Sequence, residues 1–551
     1  MKIPKYFFSP IFLLISITLL GLILRSINLW DNVLFGYDQA RDAQRIYEII
    51  KYKDIKIVGP ETDIPGVFNG PLLYYLLLPI YWLSNFDPNF AALFFIFINL
   101  SGVWLLFKIC KIIFKNNYIG LLAAFLWSIS TAQGNFARYI SNASLMSITT
   151  LIFFLGLAMW LFNKKGFGLI VSAIGLGLSI HLNFYLVYLI IFYPLLYFLY
   201  QRKFDKKTLI KSGLIFLLII LPLVIAELKW RFQMINTMLN YFNHHSLPLM
   251  VIDRFGEYIQ KITSISYHSF FSFNYFFAFL FLIYVFYLSY KNLQKTKFKF
   301  LALWTVSTLP LFAFQSGVHT VEVINSSIYP AITILTAFSI YTLFIKKQSK
   351  NIAIILLIII IASNLSLMTK GRFMFTNFFE QEYPVYLKNY KNLVDYTYQE
   401  AKGKEFSICS ISVPLFFNTK YSFFYSRYGQ QKYGYLPFWS GQEQFLNQSY
   451  IPYATKITKL RYIIIEPPVG MPQFTSNVTL HLEDQVSQLI EVKQFGHITI
   501  QKREYINNPN QIKPSLKLSK AEITNLKHII SVDPRYSCFV IHPETVNENN
   551  K

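Results

Sequence analysis

Apolar runs of about 20 residues recur between residues 8 and 368, and short polar loops separate them. A run of that length is what an α-helix needs to cross the hydrocarbon core of a bilayer. The pattern therefore predicts an α-helical polytopic membrane protein with about 11 transmembrane helices. We expect these helices at residues 8–27, 90–110, 118–134, 145–162, 167–181, 183–200, 209–227, 269–290, 298–315, 322–345 and 351–368.

One further apolar stretch, residues 71–84, is too short for this series. It contains Pro71 and Pro79 and is rich in tyrosine and tryptophan. Aromatic rings of this kind prefer the boundary between lipid and water. The stretch therefore predicts a juxtamembrane helix at the outer surface of the membrane.

The basic residues define the expected topology. They gather in short loops such as residues 202–211, where Asp205 is the one acidic residue. Such loops face the cytoplasm in multi-pass membrane proteins, so the net charge of +23 is a topology signal and not a nucleic-acid surface. We expect a multi-pass protein of the cell (inner or cytoplasmic) membrane. Loops 28–69 and 228–268, together with the C-terminus, then lie outside.

Residues 370–551 differ in character from the rest of the chain. Short β-like runs at 406–413, 462–465 and 497–501 lie within polar sequence. They predict a small extracytoplasmic α/β or α+β domain that follows a membrane domain at residues 1–369. Cys409 and Cys538 both fall in this region, and their spacing leaves open whether they form a disulfide.

The first external loop, residues 28–69, is unusually acidic. It holds seven of the 28 acidic residues of the chain. Polar groups also lie at the other external helix ends, including Arg138, His181, Glu227 and His319. Carboxylates beside fixed cations at a membrane surface suit a phosphorylated amphiphile, since the acid can accept a proton and the cations can bind phosphate. The seven acids are Asp31, Asp38, Asp42, Glu48, Asp54, Glu61 and Asp63.

Three motifs in this part of the chain resemble a known family. Asp-Gln-Ala-Arg-Asp-Ala at residues 38–43 is followed by Asn-Gly-Pro-Leu-Leu-Tyr-Tyr at 69–75 and by Phe-Ala-Arg at 136–138. Their order after a first membrane helix resembles the GT-C membrane glycosyltransferases over residues 8–345. The nearest branch contains the lipid A aminoarabinose transferase, the protein O-mannosyltransferases and the RgtA-type enzymes.

The resemblance implies a catalytic role for the first motif. Enzymes of this type use a polyprenyl-phosphate sugar donor and an aspartate base that activates the acceptor. Asp38 matches that aspartate, and its alternative reading is an N-cap for a helix predicted over residues 40–51. Asp42 is a second candidate carboxylate. Arg41 matches the family arginine and is expected to hold the donor phosphate, with a surface ion pair as the alternative.

Further residues are expected to contact substrate. Arg138, Lys229 and Arg231 are candidate phosphate ligands, while Glu227 is expected to pair with Lys229 or Arg231. The candidate substrate contacts are Asn69, His181, His319, Glu61 and Asp63.

The chain departs from the family pattern at positions where relatives carry acidic residues. Gln39 and Asn69 stand at two of them, and Ser-Asn-Ala at residues 141–143 replaces Arg-Pro-Asp. A divalent cation is therefore in doubt, and the sequence indicates no certain cofactor.

The expected function is transfer of a sugar from a polyprenyl-phosphate donor to a lipid, glycan or protein acceptor on the external face of the membrane. A transporter or flippase of lipid-linked sugars is one alternative, and it would need polar groups along a path through the bilayer. A ligase or polymerase of the O-antigen type is another. The polar residues lie at the outer helix ends, which favours the transferase.

Overall fold

The computed structural model describes residues 9–62, 64–202, 204–244, 251–309, 326–369, 385–412, 417–441, 450–454, 456–467, 473–506 and 513. The chain divides into two compact units. The first, which we call the helical unit, comprises Met1–Leu29 and Glu48–Glu380. The second, the sheet unit, comprises Trp30–Tyr47 and Gln381–Lys551.

The described part of the helical unit is almost entirely α-helical. The first helix is α1 (Pro10–Ser26). The second, α2 (Tyr37–Tyr52), is divided between the units, and its residues up to Tyr47 belong to the sheet unit. The remaining helices of the helical unit extend to residue 369. They are α3 (Leu72–Leu83), α4 (Pro88–Phe114), α5 (Asn117–Ile129), α6 (Thr131–Arg138), α7 (Asn142–Phe162), α8 (Phe167–Leu182), α9 (Phe192–Tyr200), α10 (Lys206–Lys229), α11 (Gln233–His244), α12 (Val251–Ser269), α13 (Tyr275–Lys291), α14 (Thr296–Thr305), α15 (Tyr329–Ile345) and α16 (Lys350–Thr369).

Several of these helices have the dimensions of membrane spans. Among the described residues, Pro88–Phe114, Asn142–Phe162, Lys206–Lys229 and Lys347–Met368 are long and apolar enough to cross a bilayer. Shorter apolar helices include α1, α5, α8 and α15. The number of spans, about 11, stays a prediction.

The structure differs from the predicted helices at several places, and one of them is the helix expected at 298–315, which ends at Thr305. The helix expected at 118–134 breaks at Ser130 into α5 and α6. The run at 183–200 begins as a 3-10 helix, Phe184–Ile191, before α9. The loop expected at 228–268 contains α11 and most of α12. The length of an apolar run does not predict a helix break or a 3-10 turn, because it reflects hydrophobicity and not backbone hydrogen bonding.

The break at Ser130 is stabilised by polar side chains from two other helices. Arg25 of α1 donates to the carbonyls of Trp127 (2.9 Å) and Ser128 (2.5 Å), which end α5. Asn364 of α16 accepts from the backbone N–H of Thr131 (2.8 Å), which begins α6. The backbone groups left unpaired at the end of α5 and at the start of α6 therefore have hydrogen-bond partners, as an apolar environment requires.

Glycines allow α7 and α8 to pack closely. A Cβ on Gly156 would overlap the backbone N of Ser172, and one on Gly168 would meet the carbonyl of Gly156. A Cβ on Gly175 would overlap the backbone of Phe153. Backbone approach of this kind is the usual means by which helices associate in lipid.

The sheet unit is built on a mixed five-stranded sheet with strand order β2-β1-β3-β5-β4. The strands β1, β2 and β3 are parallel, whereas β5 is antiparallel to both β3 and β4. The strands are β1 (Phe406–Ile411), β2 (Phe438–Trp439), β3 (Leu460–Ile465), β4 (Ser487–Phe495) and β5 (Ile498–Tyr505). The helices are α17 (Leu387–Ala401), α18 (Thr419–Phe424), α19 (Gln430–Tyr433) and α20 (Gln473–Glu483).

The segment Trp30–Tyr47 joins the sheet unit through backbone and side-chain contacts. Leu387 donates its backbone N–H to Val33 (2.9 Å), and Asp31 forms an ion pair with Lys391 (2.6 Å). The ring of Phe35 stacks on that of Phe423, 5.2 Å away. The first half of the acidic loop therefore belongs, by its contacts, to the unit that carries the C-terminal strands.

Candidate functional site

The helix α2 carries the first candidate carboxylates. It begins at Tyr37, where the backbone N–H of Gly36 donates to the side chain of Gln39 (2.9 Å). The predicted start at Ala40 is therefore three residues late. Asp38 already lies in the first turn, so the N-cap alternative is wrong. A carboxylate in that turn is stabilised by the helix dipole.

Arg41 lies between two carboxylates of α2. Its Nη1 is 2.8 Å from Oδ1 of Asp38, while its Nε and Nη2 are each 2.9 Å from Oδ1 of Asp42. The guanidinium group thus bonds to both carboxylates at once, and these bonds fix its orientation. All three of its nitrogen atoms face carboxylate oxygens.

The two carboxylates differ in access to solvent. The side chain of Asp38 is 59% exposed and that of Asp42 is 6% exposed. A base must reach the proton that it removes, so exposure favours Asp38. The buried Asp42 has the geometry of a residue that orients Arg41.

Tyr37 completes this part of the site, and sequence reasoning missed it. Its ring lies 5.7 Å from the guanidinium carbon of Arg41 and 5.3 Å from the ring of Phe417. Burial raises the pKa of Tyr37 above its ordinary value, and the charge of Arg41 opposes the rise. The phenol therefore stays protonated at neutral pH and can donate a hydrogen bond.

The second half of the acidic loop forms a short hairpin in the helical unit, which we call the hairpin 59–70 and which is described at residues 59–62 and 64–70. Gly59 donates to the carbonyl of Asn69 (2.7 Å), and Asn69 donates to that of Pro60 (2.9 Å). At the other end, Glu61 accepts from the backbone N–H of Gly66 (2.5 Å). Gly66 has φ +83, which glycine adopts without strain. Glu61 therefore stabilises the hairpin turn.

The hairpin is attached to the end of α8 at Gly70. Its backbone N–H donates to the carbonyl of His181 (2.8 Å), and a Cβ at Gly70 would overlap Nδ1 of that histidine. Nε2 of His181 lies 2.6 Å from the carbonyl of Ile219 in α10. The histidine therefore connects the hairpin, α8 and α10, and its ring is enclosed by backbone.

The end of α10 carries three charged residues that do not pair. Glu227 is buried, whereas Lys229 and Arg231 are exposed. The expected ion pair of Glu227 with Lys229 or Arg231 is wrong. Residues two apart project from different sides of a helix, and the chain leaves the helix at Trp230, after which Arg231 has φ 52. In the described part of the chain both cations remain available to a ligand.

Arg138 is buried at the end of α6. It donates to the carbonyls of Ile27 (3.0 Å) and Asn28 (2.8 Å), which follow α1. Its exposure is 1%. These contacts give Arg138 a part in stabilising the end of α1.

The remaining candidates divide by whether the structure describes them. Asn69 is buried and its amide oxygen accepts no hydrogen bond. Asp63, His319 and Cys538 lie outside the described residues, while Cys409 is disulfide-bonded. Across the described residues, no group of three or more His, Cys, Asp and Glu side chains is arranged to hold a metal ion. We therefore derive no chemistry through a metal.

Two features of the site had no signal in the sequence. The burial of Glu227 depends on how α10 packs, which apolar periodicity around a single acid does not reveal. The pairing of Arg25 with the broken helix depends on residues about 100 positions away. Tyr37, by contrast, adjoins Asp38 and could have been found from its position alone.

Comparison with known proteins identifies the fold. No protein-family model and no curated protein matches the chain. Among solved structures, ArnT from Cupriavidus metallidurans bound to undecaprenyl phosphate superposes with a TM-score of 0.56 at 10% identity, covering 89% of this chain and 97% of ArnT. Its apo state gives 0.53 at 11% identity, covering 91% and 99%.

A second relative points to the same architecture. The archaeal oligosaccharyltransferase AglB from Archaeoglobus fulgidus, in complex with an inhibitory peptide and a dolichol-phosphate, gives a TM-score of 0.50 at 12% identity, covering 92% of this chain and 75% of AglB. Both proteins are GT-C glycosyltransferases. At such low identity the likeness concerns the fold, and the chain has the GT-C fold.

Proposed function

We propose that this protein is a membrane glycosyltransferase that moves a sugar from a polyprenyl-phosphate donor to a lipid, glycan or protein acceptor. The observation that carries the proposal is the exposed carboxylate of Asp38, oriented by Arg41 at the start of α2, in a chain with the GT-C fold. The solved relatives were determined with undecaprenyl phosphate and a dolichol-phosphate, which supports a lipid-phosphate donor here.

Asp38 acts as the general base. The acceptor hydroxyl attacks the anomeric carbon of the sugar while its proton passes to Asp38. The bond between that carbon and the phosphate oxygen breaks, and the polyprenyl phosphate leaves with the bonding electrons. A hydroxyl is a weak nucleophile until its proton is removed, so a positioned carboxylate contributes about 100- to 10 000-fold to the rate.

Arg41 and Asp42 prepare Asp38 for this role. Arg41 occupies Oδ1 of Asp38, which leaves Oδ2 for the acceptor proton. Asp42 fixes Arg41 from the buried side. For Arg41 to bind the donor phosphate, as the family resemblance implies, the phosphate would replace one of these carboxylates.

Lys229 and Arg231 are the cations that we assign to the donor phosphate. Both are exposed at the end of α10 and neither forms an ion pair in the described part of the chain. A phosphate recruits cations that have no other partner at less cost than cations already bonded. Arg138, whose two terminal nitrogens donate to carbonyls, is the weaker candidate.

The reaction is assigned to the external face of the cell membrane. The basic loops predict that orientation, and the disulfide of Cys409 fits an oxidising compartment. The acceptor remains one of three classes: lipid, glycan or protein.

The test is a transfer assay in proteoliposomes. The purified protein receives undecaprenyl phosphate carrying a labelled sugar, with a membrane extract as the acceptor source. The transferase predicts that label leaves the polyprenyl lipid and enters a new product. A flippase predicts that the labelled lipid changes leaflet and stays intact, and that result would overturn the proposal.

A further inference from the structure

Glu227 is the one acidic residue within α10, and it is 8% exposed. Neither carboxylate oxygen makes a hydrogen bond of normal geometry, and the backbone N–H of Ile235 is the group near enough to stabilise its charge. A buried carboxylate with so little stabilisation is costly, because it loses hydration and one weak backbone contact does not replace it. The cost is tolerated when the residue has a ligand in the working protein.

Two contacts connect the hairpin 59–70 to α10 and to the residue that follows it. At one end the connection runs through His181 of α8, which touches Gly70 and bonds to Ile219 of α10. At the other end, the ring of Phe68 lies 5.6 Å from that of Trp230, just after α10.

Glu227 lies on α10 between these two contacts, and Asn69 lies on the hairpin between the same two. The buried face of α10 runs through Leu223, Ala226 and Glu227. Glu227 and Asn69, the two polar side chains with unused acceptor atoms, therefore both lie between the His181 contact and the Phe68–Trp230 contact along their segments.

The unused atoms are all hydrogen-bond acceptors. They are the two oxygens of Glu227 and the amide oxygen of Asn69. A phosphate offers acceptors too, so it does not fit them. A metal ion would need further ligands, and no metal-binding group is found among the described residues. Sugar hydroxyls supply donors, and one carboxylate can accept from two neighbouring hydroxyls at once.

We propose that Glu227, with Asn69 as a second acceptor, binds the hydroxyl groups of the sugar carried by the lipid donor. The inference rests on the proposed function and adds a specificity-determining residue to it. Glu227 then distinguishes a sugar-bearing lipid from the bare lipid.

The test compares the affinities of two kinds of lipid. Full-length protein in nanodiscs is titrated with undecaprenyl phosphate alone and with undecaprenyl phosphate carrying glucose, galactose, mannose or arabinose. The variants are Glu227→Gln, which keeps the shape of the side chain, and Asp54→Asn as the control. Asp54 is an exposed carboxylate of the same unit that pairs with Lys56.

The wild-type protein should bind at least one sugar-bearing lipid more tightly than the bare lipid. Glu227→Gln should reduce that advantage about tenfold, the size of one hydrogen bond to a charged group, without changing the affinity for the bare lipid. Asp54→Asn should behave as wild type. Should Glu227→Gln not fold, Glu227→Asp keeps the charge and should change the order of preference among the four sugars.

Two results would overturn this inference and leave the proposed function intact. In the first, the Glu227 variants prefer sugar-bearing lipid over bare lipid as strongly as wild type does and keep the same order of preference among the sugars. In the second, a Glu227 variant loses affinity for bare lipid and for sugar-bearing lipid equally. A wild-type protein that binds none of the lipids would overturn the proposed function as well. A wild-type protein that binds the bare lipid and every sugar-bearing lipid equally would remove the sugar site and leave the phosphate site standing.

Discussion

Two groups of three charged residues, one in each unit, each occupy five consecutive positions of the chain but differ in how their charges pair. On α2, Asp38, Arg41 and Asp42 form a closed set in which one cation contacts both acids. At the end of α10, Glu227 is buried while Lys229 and Arg231 face solvent without it. Spacing explains part of the difference. Asp38 and Arg41 are three residues apart and meet on α2, and Arg41 also contacts its chain neighbour Asp42. Glu227 and Lys229 are two residues apart and do not meet, and α10 ends before Arg231.

The difference between the two groups indicates which charged residues are available to a ligand. Arg41 already contacts both acids of α2, so we propose the exposed carboxylate of Asp38 as the group that meets substrate. The three charges at the end of α10 do not pair with one another, and we propose that each meets a group of the donor. Exposure and pairing together, more than the number of charges, distinguish the residues that we propose to contact substrate from those that support them.

The largest effect is expected at Asp38. Asp38→Asn removes the base and should lower the turnover of sugar transfer by about 100- to 10 000-fold. Because the side chain is exposed, the melting temperature should stay close to that of wild type. Steady-state transfer and thermal unfolding of the same preparation measure both quantities.

Asp42→Asn tests the role of the buried carboxylate of α2. The variant weakens the bond that orients Arg41, and we expect a loss of about 1–2 kcal/mol in the free energy of unfolding. Turnover should fall less than in Asp38→Asn, since Asp38 can still accept the proton. A larger loss of turnover in Asp42→Asn than in Asp38→Asn would exchange the roles of the two acids.

The cations at the end of α10 come next. The double variant Lys229→Ala and Arg231→Ala should raise the KM for the lipid donor about tenfold, since it removes charge-assisted bonds to phosphate. The difference from wild type should shrink at high salt. Lys211→Ala, at the exposed opposite end of the same helix, serves as control and should leave KM unchanged. Equal KM values for wild type, the double variant and Lys211→Ala would show that Lys229 and Arg231 do not bind the donor phosphate.

Glu61→Gln should have the smallest effect. The side chain is exposed and accepts one backbone hydrogen bond in the hairpin turn, so we expect a change of less than about 1 kcal/mol in the free energy of unfolding. Transfer should be unaltered. A marked loss of transfer would instead make Glu61 the substrate contact that the sequence indicated.

Much of the fold was predictable because apolar run length is a strong signal. The runs at 8–27, 90–110, 145–162 and 209–227 correspond to α1, α4, α7 and α10 within a few residues. The GT-C resemblance carried by three short motifs agrees with the structural comparison. The break at Ser130 was missed, because its partners Arg25 and Asn364 are remote in sequence.

The site was less predictable, since its residues depend on burial and pairing. The order of Asp38, Arg41 and Asp42 on one helix followed from sequence, apart from a helix start that lies three residues earlier than expected. The expectation for Glu227 failed, because it assumed that neighbouring opposite charges pair. The enclosure of His181 by Gly70 and Ile219 is a tertiary arrangement that no local pattern encodes.

The most direct test of the account is a single-turnover measurement of the chemical step. Wild type and Asp38→Asn, both saturated with a sugar-bearing polyprenyl phosphate and with acceptor, are mixed and quenched at increasing times. If Asp38 is the base, the two proteins bind the donor equally and bond cleavage in Asp38→Asn is at least about 100-fold slower. Cleavage at the wild-type rate in Asp38→Asn would contradict the assignment of Asp38 as the base.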